Sequence, residues 1–394
     1  MPEPWRYLQA LGLAAGVGGV VTWGVALLLA VLRRGQPSPR PTGQPTLGLT
    51  LGPAFGLALG LPLALLVGYG WLGVRWNGPP ANGLNRLLWL VLPATVLIEL
   101  VIASAPPPAR WGWWFRGALA LFVPRVLLHG SIHLDAGGPF REGASRGLLG
   151  WPGLSAGVEL FVLGAGLLLL WWLLDWLARR AGGEAVPVVL ALALLAGGAC
   201  VMLGGYLKGG AAAFPLAGAV VGAPCGVWLW QRLANGSGRG RGVVDAGESW
   251  RSPMVALGVV GLFGLLVVGC AFGRLLPGRA MALGLAPLLY AAPLGPRARR
   301  WGWGGMMAVR LILVAALLGL VVAVAKVDFD RNFRPLLGAR TAGPRGRAWE
   351  GTTPGPRTGP GTHGEHAVKP VAKNTVPQAV PAWGGSRRTG DERC

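Results

Sequence analysis

The sequence predicts an all-α fold: a polytopic transmembrane helix bundle of about ten spans, followed by a disordered C-terminal tail. Three observations predict it. Hydrophobic residues make up 53% of the 394 residues and charged residues only 13%, about half the roughly 25% usual in soluble domains. The apolar residues are gathered into runs of about 20, the length that crosses a hydrocarbon core of about 30 Å. From about Val327 those runs stop, and Pro, Gly, Thr and Arg take over. Residues 1–326 therefore read as the membrane domain and residues 327–394 as a basic tail that buries too little apolar surface to offset its ordering entropy.

Taken in order, the first span covers about residues 8–32 and stops at Arg33 and Arg34. Its apolar stretch is too long for a secretory signal, and the basic pair follows it, so it reads as a retained helix. The second covers about 47–74. The third, about 87–105, ends at Pro106-Pro107-Pro108, where the missing backbone donors stop a helix. The fourth, about 113–129, is short and carries Arg116 and Arg125. The fifth, about 154–178, is closed by Arg179 and Arg180. The sixth and seventh cover about 185–206 and 210–231. After a Gly/Arg-rich loop come the eighth (253–273), a short ninth (280–295) and the tenth (305–325), which ends at Lys326.

The net charge of +21 would suggest nucleic acid in a soluble chain. Here the basic residues sit mostly between apolar runs, where they meet anionic headgroups. The expected partners are thus membrane lipids and an unidentified small molecule, with no nucleic acid. The near-even spread of Arg over the two sets of loops leaves the orientation open. Many of the 19 Trp residues flank the spans, as in an interfacial belt. The expected location is a cytoplasmic membrane of bacterial type. Cys200, Cys225 and Cys270 lie in apolar runs without Cys/His ligand spacing, so no metal or disulfide framework is read. No cofactor motif is present.

One pattern recurs. Pro53, Gly56, Gly60 and Pro62 in the second span match Pro215, Gly218, Gly222 and Pro224 in the seventh, both as P-x-x-G-x-x-x-G-x-P. Glycines four apart leave one helix face bare and admit close backbone approach. The second and seventh spans are equivalent if ten helices arose as five plus five. The pattern thus raises an inverted repeat of 1–178 on 185–325, an arrangement found in transporters. In a chain so rich in Gly and Pro, chance produces such a match as well.

Ionisable groups within spans cost about 2.5–3.5 kcal/mol each on insertion scales, which marks them as paired or functional. The set is Glu99, Arg116, Arg125, Glu159 and Arg310, with Asp175 near a helix end beside Arg179 and Arg180. Glu99 and Arg116 lie at similar distances from the Pro106–Pro108 turn and are expected to pair. Arg125 and Glu159 are matched in depth and form a second expected pair. A weaker polar cluster, His129, Ser131, His133 and Asp135, lies at the membrane surface. Its histidines have the four-residue spacing of two-histidine metal sites, but Gly130 weakens a helix and further ligands are missing, so neither metal nor catalysis is assigned.

The sequence thus reads as a multi-pass integral membrane protein without assigned catalysis. Its leading activity is translocation of a small molecule, with Glu99, Arg125 and Glu159 lining a cavity beside the glycine faces. The alternatives are an interfacial enzyme acting on a lipid-linked substrate and a scaffold whose tail recruits partners.

Overall fold

The computed structural model describes residues 4–33, 47–74, 82–104, 110–130, 156–180, 185–236, 251–292 and 302–338. Every regular element among them is helical. They are α1 (Pro4–Arg33), α2 (Leu47–Trp71), α3 (Gly83–Arg86), α4 (Leu92–Ser104), α5 (Arg110–Leu128), α6 (Ala156–Arg180), α7 (Val186–Leu203), α8 (Leu207–Ala211), α9 (Ala213–Gly236), α10 (Arg251–Phe272), α11 (Pro277–Leu285) and α12 (Gly302–Gly338). A π-turn (Leu87–Val91) joins α3 to α4, and a 3-10 turn (Ala286–Ala291) continues α11.

Seven helical stretches are long and apolar enough to cross a bilayer, and they give this chain the build of a multi-pass membrane protein. The count of ten is not shown. Helix α5 has 19 residues, three of them Arg. Helix α11 has nine, and in α2 only Leu59–Trp71 registers as an apolar stretch, a short one.

Helix α10 is the axis. It is buried along almost its whole length from Met254 to Gly269, and α4, α5, α6, α7, α9 and α11 pack around it. A helix that is apolar on every side has no face to give to polar surroundings. Its glycines take in neighbouring side chains: a Cβ at Gly258 would stand 2.8 Å from Leu190. The outer helices α1 and α12 keep apolar side chains such as Val20 and Ile312 exposed, the outward surface expected of helices that are apolar all round and span a membrane.

Helix directions follow from their contacts. Gly218 and Gly222 of α9 lie against Leu11 and Ala15 of α1, so those helices run parallel. Gly56 and Gly60 of α2 lie against Thr22 and Gly18 of α1, so that pair is antiparallel. The two glycine motifs thus clasp one helix from two sides. A Cβ at Gly56 would come within 2.6 Å of the Thr22 carbonyl oxygen, and one at Gly222 would collide with the Ala15 backbone. The Thr22 hydroxyl donates to the Gly56 carbonyl at 3.2 Å, completing the α1–α2 seam. This gives the matching motifs a packing reason of their own. A five-plus-five repeat would set α7 against α2 as α1 sits against α9, and no comparable α7–α2 interface is formed among the described residues.

The expected boundary of the tail needs correction. Helix α12 continues through 327–338, because Asp328 on its extra turns is held by Arg279 of α11 and Phe329 is partly covered. The remainder of the tail, like Ser131, His133 and Asp135, lies outside the described residues.

Candidate functional site

Four helices bring charged and polar groups together at one end of the bundle. Glu99 lies five residues before the end of α4, Arg116 six after the start of α5, and Asp175 five before the end of α6. At 1.5 Å per residue these are roughly 7–9 Å in from the helix ends. Helix α4 turns Leu92, Thr95 and Glu99 inward, and α5 turns Arg116, Ala120, Val123 and Leu127 inward, each set at helical spacing.

The Arg116 guanidinium grips Glu99 in a fork: Nε donates to Oε1 at 2.6 Å and Nη2 to Oε2 at 2.7 Å. Its Nη2 also reaches Ser252 Oγ of α10 at 2.5 Å, and that hydroxyl lies 3.3 Å from Glu99 Oε2. On its other side, Nη1 lies 3.7 Å from Asp175 Oδ2, and Arg179 donates to the same oxygen. Trp113 and Trp171 place their rings 5.0 and 5.6 Å from the guanidinium carbon, within cation–π range. Two carboxylates therefore face two guanidiniums, with Glu99, Arg116 and Asp175 all nearly excluded from solvent. A bidentate, hydrogen-bonded geometry is what lets a buried ion pair offset its desolvation. The centre joins α4, α5, α6 and α10 like a clamp.

The other expected sites fall differently. Arg125 is exposed, and no ion pair among the described residues joins it to Glu159, which is buried in the first turn of α6. The reason is phase: nine residues at about 100° each set Arg125 roughly 180° from Arg116 on α5. Arg310 stacks on Tyr290 at 5.5 Å. The side chain of His129 is exposed, and its carbonyl accepts from Arg86. The glycine faces of α2 and α9 are filled by α1 rather than opening beside Glu99, Arg125 and Glu159.

At the opposite end, two interruptions meet. Helix α7 ends at Gly204 and Gly205, the latter at φ +89°, a left-handed conformation that glycine adopts without steric cost. Helix α10 ends at Phe272, four residues short of α11, and the Arg274 amide donates to the Gly204 carbonyl at 3.1 Å. Between them is a cavity of about 160 Å³, lined by polar Arg274, Arg279, Asp328 and Asn332 and by the Cys200 thiol. A second cavity of about 230 Å³ lies among α6, α10 and α11 and is lined almost wholly by apolar groups, including Leu163, Leu262, Cys270 and Met281.

From the sequence alone, Arg279 and Asp328 read as lying outside the spans and Asp175 as interfacial. The signal it lacked was tertiary: Ser252 and Asp175 are remote in the chain from Arg116. One local sign was present, the four-residue Asp175–Arg179 spacing within an otherwise apolar helix. Comparison of the chain with protein-family models, with curated proteins and with solved structures finds no match.

Proposed function

We propose that the chain is a ten-crossing membrane protein that translocates a small molecule carrying an anionic group. The observation that carries this reading is the polar cavity at the meeting of the α7–α8 and α10–α11 interruptions, with Arg274 and Arg279 in its wall. Both breaks lie at one end of the bundle, where successive crossings turn, so the cavity stands at the mouth of a path through it and its two guanidiniums raise the local concentration of an anion there. At about 160 Å³ the cavity is smaller than the roughly 300–1,000 Å³ of drug-sized sites, so it suits a phosphate- or carboxylate-sized group. The charge centre supports the same reading as a fixed end: Glu99, Arg116, Asp175 and Arg179 satisfy one another, and opening is assigned to the interrupted end.

The count of ten takes α2, α5 and α11 with its 3-10 turn as crossings beside the seven longer stretches. An even count puts both chain ends on one side. What supports an even count is that α1 starts at the end where Asp328 of α12 meets Arg279.

The test is anion flux in proteoliposomes. Release of trapped inorganic phosphate or small carboxylates should exceed that of protein-free vesicles and fall at least fivefold in Arg279→Gln. Equal release from wild type, variant and empty vesicles would remove the translocation reading.

A further inference from the structure

The polar cavity and the apolar groove share helix α11. Arg279 faces the cavity, whereas Pro277, Ala280, Met281, Gly284 and Leu285 face the groove. That is spacing i, i+3, i+4, i+7, i+8, one apolar stripe on a helix whose other side carries the guanidinium. The two spaces approach each other at the start of α11: Leu276 borders the cavity and Pro277, the next residue, borders the groove. Leu276, Met281 and Leu285 are each more than half exposed, so the groove opens sideways onto the surface that faces lipid. Gly284 forms part of its floor, next to Leu266, which would stand 3.6 Å from a Cβ at that position.

From this juxtaposition we infer that one anionic phospholipid occupies both spaces, its phosphate beside Arg274 and Arg279 and one acyl chain in the groove between α6, α10 and α11. The inference goes beyond the proposed function: it stands on the cavity and the groove themselves and names one ligand class for both. The charge fits an anion: two guanidiniums face one carboxylate, Asp328. Arg279 already holds Asp328, yet a guanidinium carries five N–H donors and serves a carboxylate and a phosphate together. The groove's lining suits a chain without polar atoms, and the ridge at Leu276 and Pro277 is where the glycerol portion would cross. Free phosphate shares the headgroup chemistry but has no use for the groove.

The test uses the full-length chain in nanodiscs with phosphatidylglycerol or phosphatidylcholine carrying a diazirine on one acyl chain, with crosslinks mapped by mass spectrometry. Phosphatidylglycerol should label the peptides containing Cys270 and Met281 saturably, and at least fivefold more than phosphatidylcholine. Arg274→Gln and Arg279→Gln should abolish that preference, Arg279→Lys should restore most of it, and Gly284→Trp should block labelling by filling the groove. Each variant is first required to elute as a single folded species. Equal labelling by both lipids, labelling spread over all lipid-facing helices, or indifference to Gly284→Trp would overturn the inference. So would protection by millimolar inorganic phosphate with no lipid adduct, which assigns the cavity to a free anion and leaves translocation standing. Absence of anion flux with the lipid preference intact would instead remove translocation and keep the lipid site.

Discussion

Arg116 shows what a guanidinium inside a bundle needs. Its fork on Glu99, its bond to Ser252 and its approach to Asp175 leave little of its donor capacity unused. Removing one partner strands the other charge, at a cost of about 3–5 kcal/mol. Arg116→Met should therefore lower the thermal midpoint in detergent sharply. Adding Glu99→Leu should recover much of the loss, because Asp175 keeps Arg179. A double-mutant cycle on thermal unfolding reads this directly; additive losses would show that the two side chains do not act as a unit. Part of the centre was legible beforehand, since Glu99 and Arg116 lie at matched depth on either side of a proline turn. Asp175 and Ser252 were not, because sequence distance carries no information on which helix ends converge. The outward phase of Arg125 could have been read from its nine-residue separation from Arg116.

At the scale of elements, α1 is held by what its neighbours lack. Gly222→Ala drives a methyl into the Ala15 backbone, and such overpacking costs about 1–3 kcal/mol. Gly16→Ala, on the same helix α1 but with open space around it, should be neutral or stabilising by up to about 1 kcal/mol through helix propensity. Tryptophan-fluorescence melts of the two variants would separate packing from propensity; similar melts would contradict the clasp. The end of α12 makes a second prediction. Truncation after Gly338 should leave the melting midpoint unchanged, whereas truncation after Lys326 removes Asp328 from Arg279 and should lower it.

For the whole molecule, the strongest expectation concerns solvent. Exposed apolar side chains run along α1, α2, α6 and α12, so the purified chain should stay monodisperse in detergent and aggregate on its removal. Light scattering checks this. Reporters fused ahead of α1 and beyond α12 should report the same side of the membrane; opposite sides would require an odd number of crossings.

The sequence by itself determined the helical class, the apolar character of the long helices and their approximate places. These follow from local quantities: the length of an apolar run, a proline or arginine pair that ends it, and the cost of bare backbone groups in lipid. Only the tertiary structure decided which charges meet, that both glycine motifs grip α1, that α12 continues past Lys326, and that two helix breaks share a cavity. Those outcomes depend on the direction and rotation of helices far apart in the chain, and apolar faces of nearly uniform greasiness do not encode rotation in any one segment.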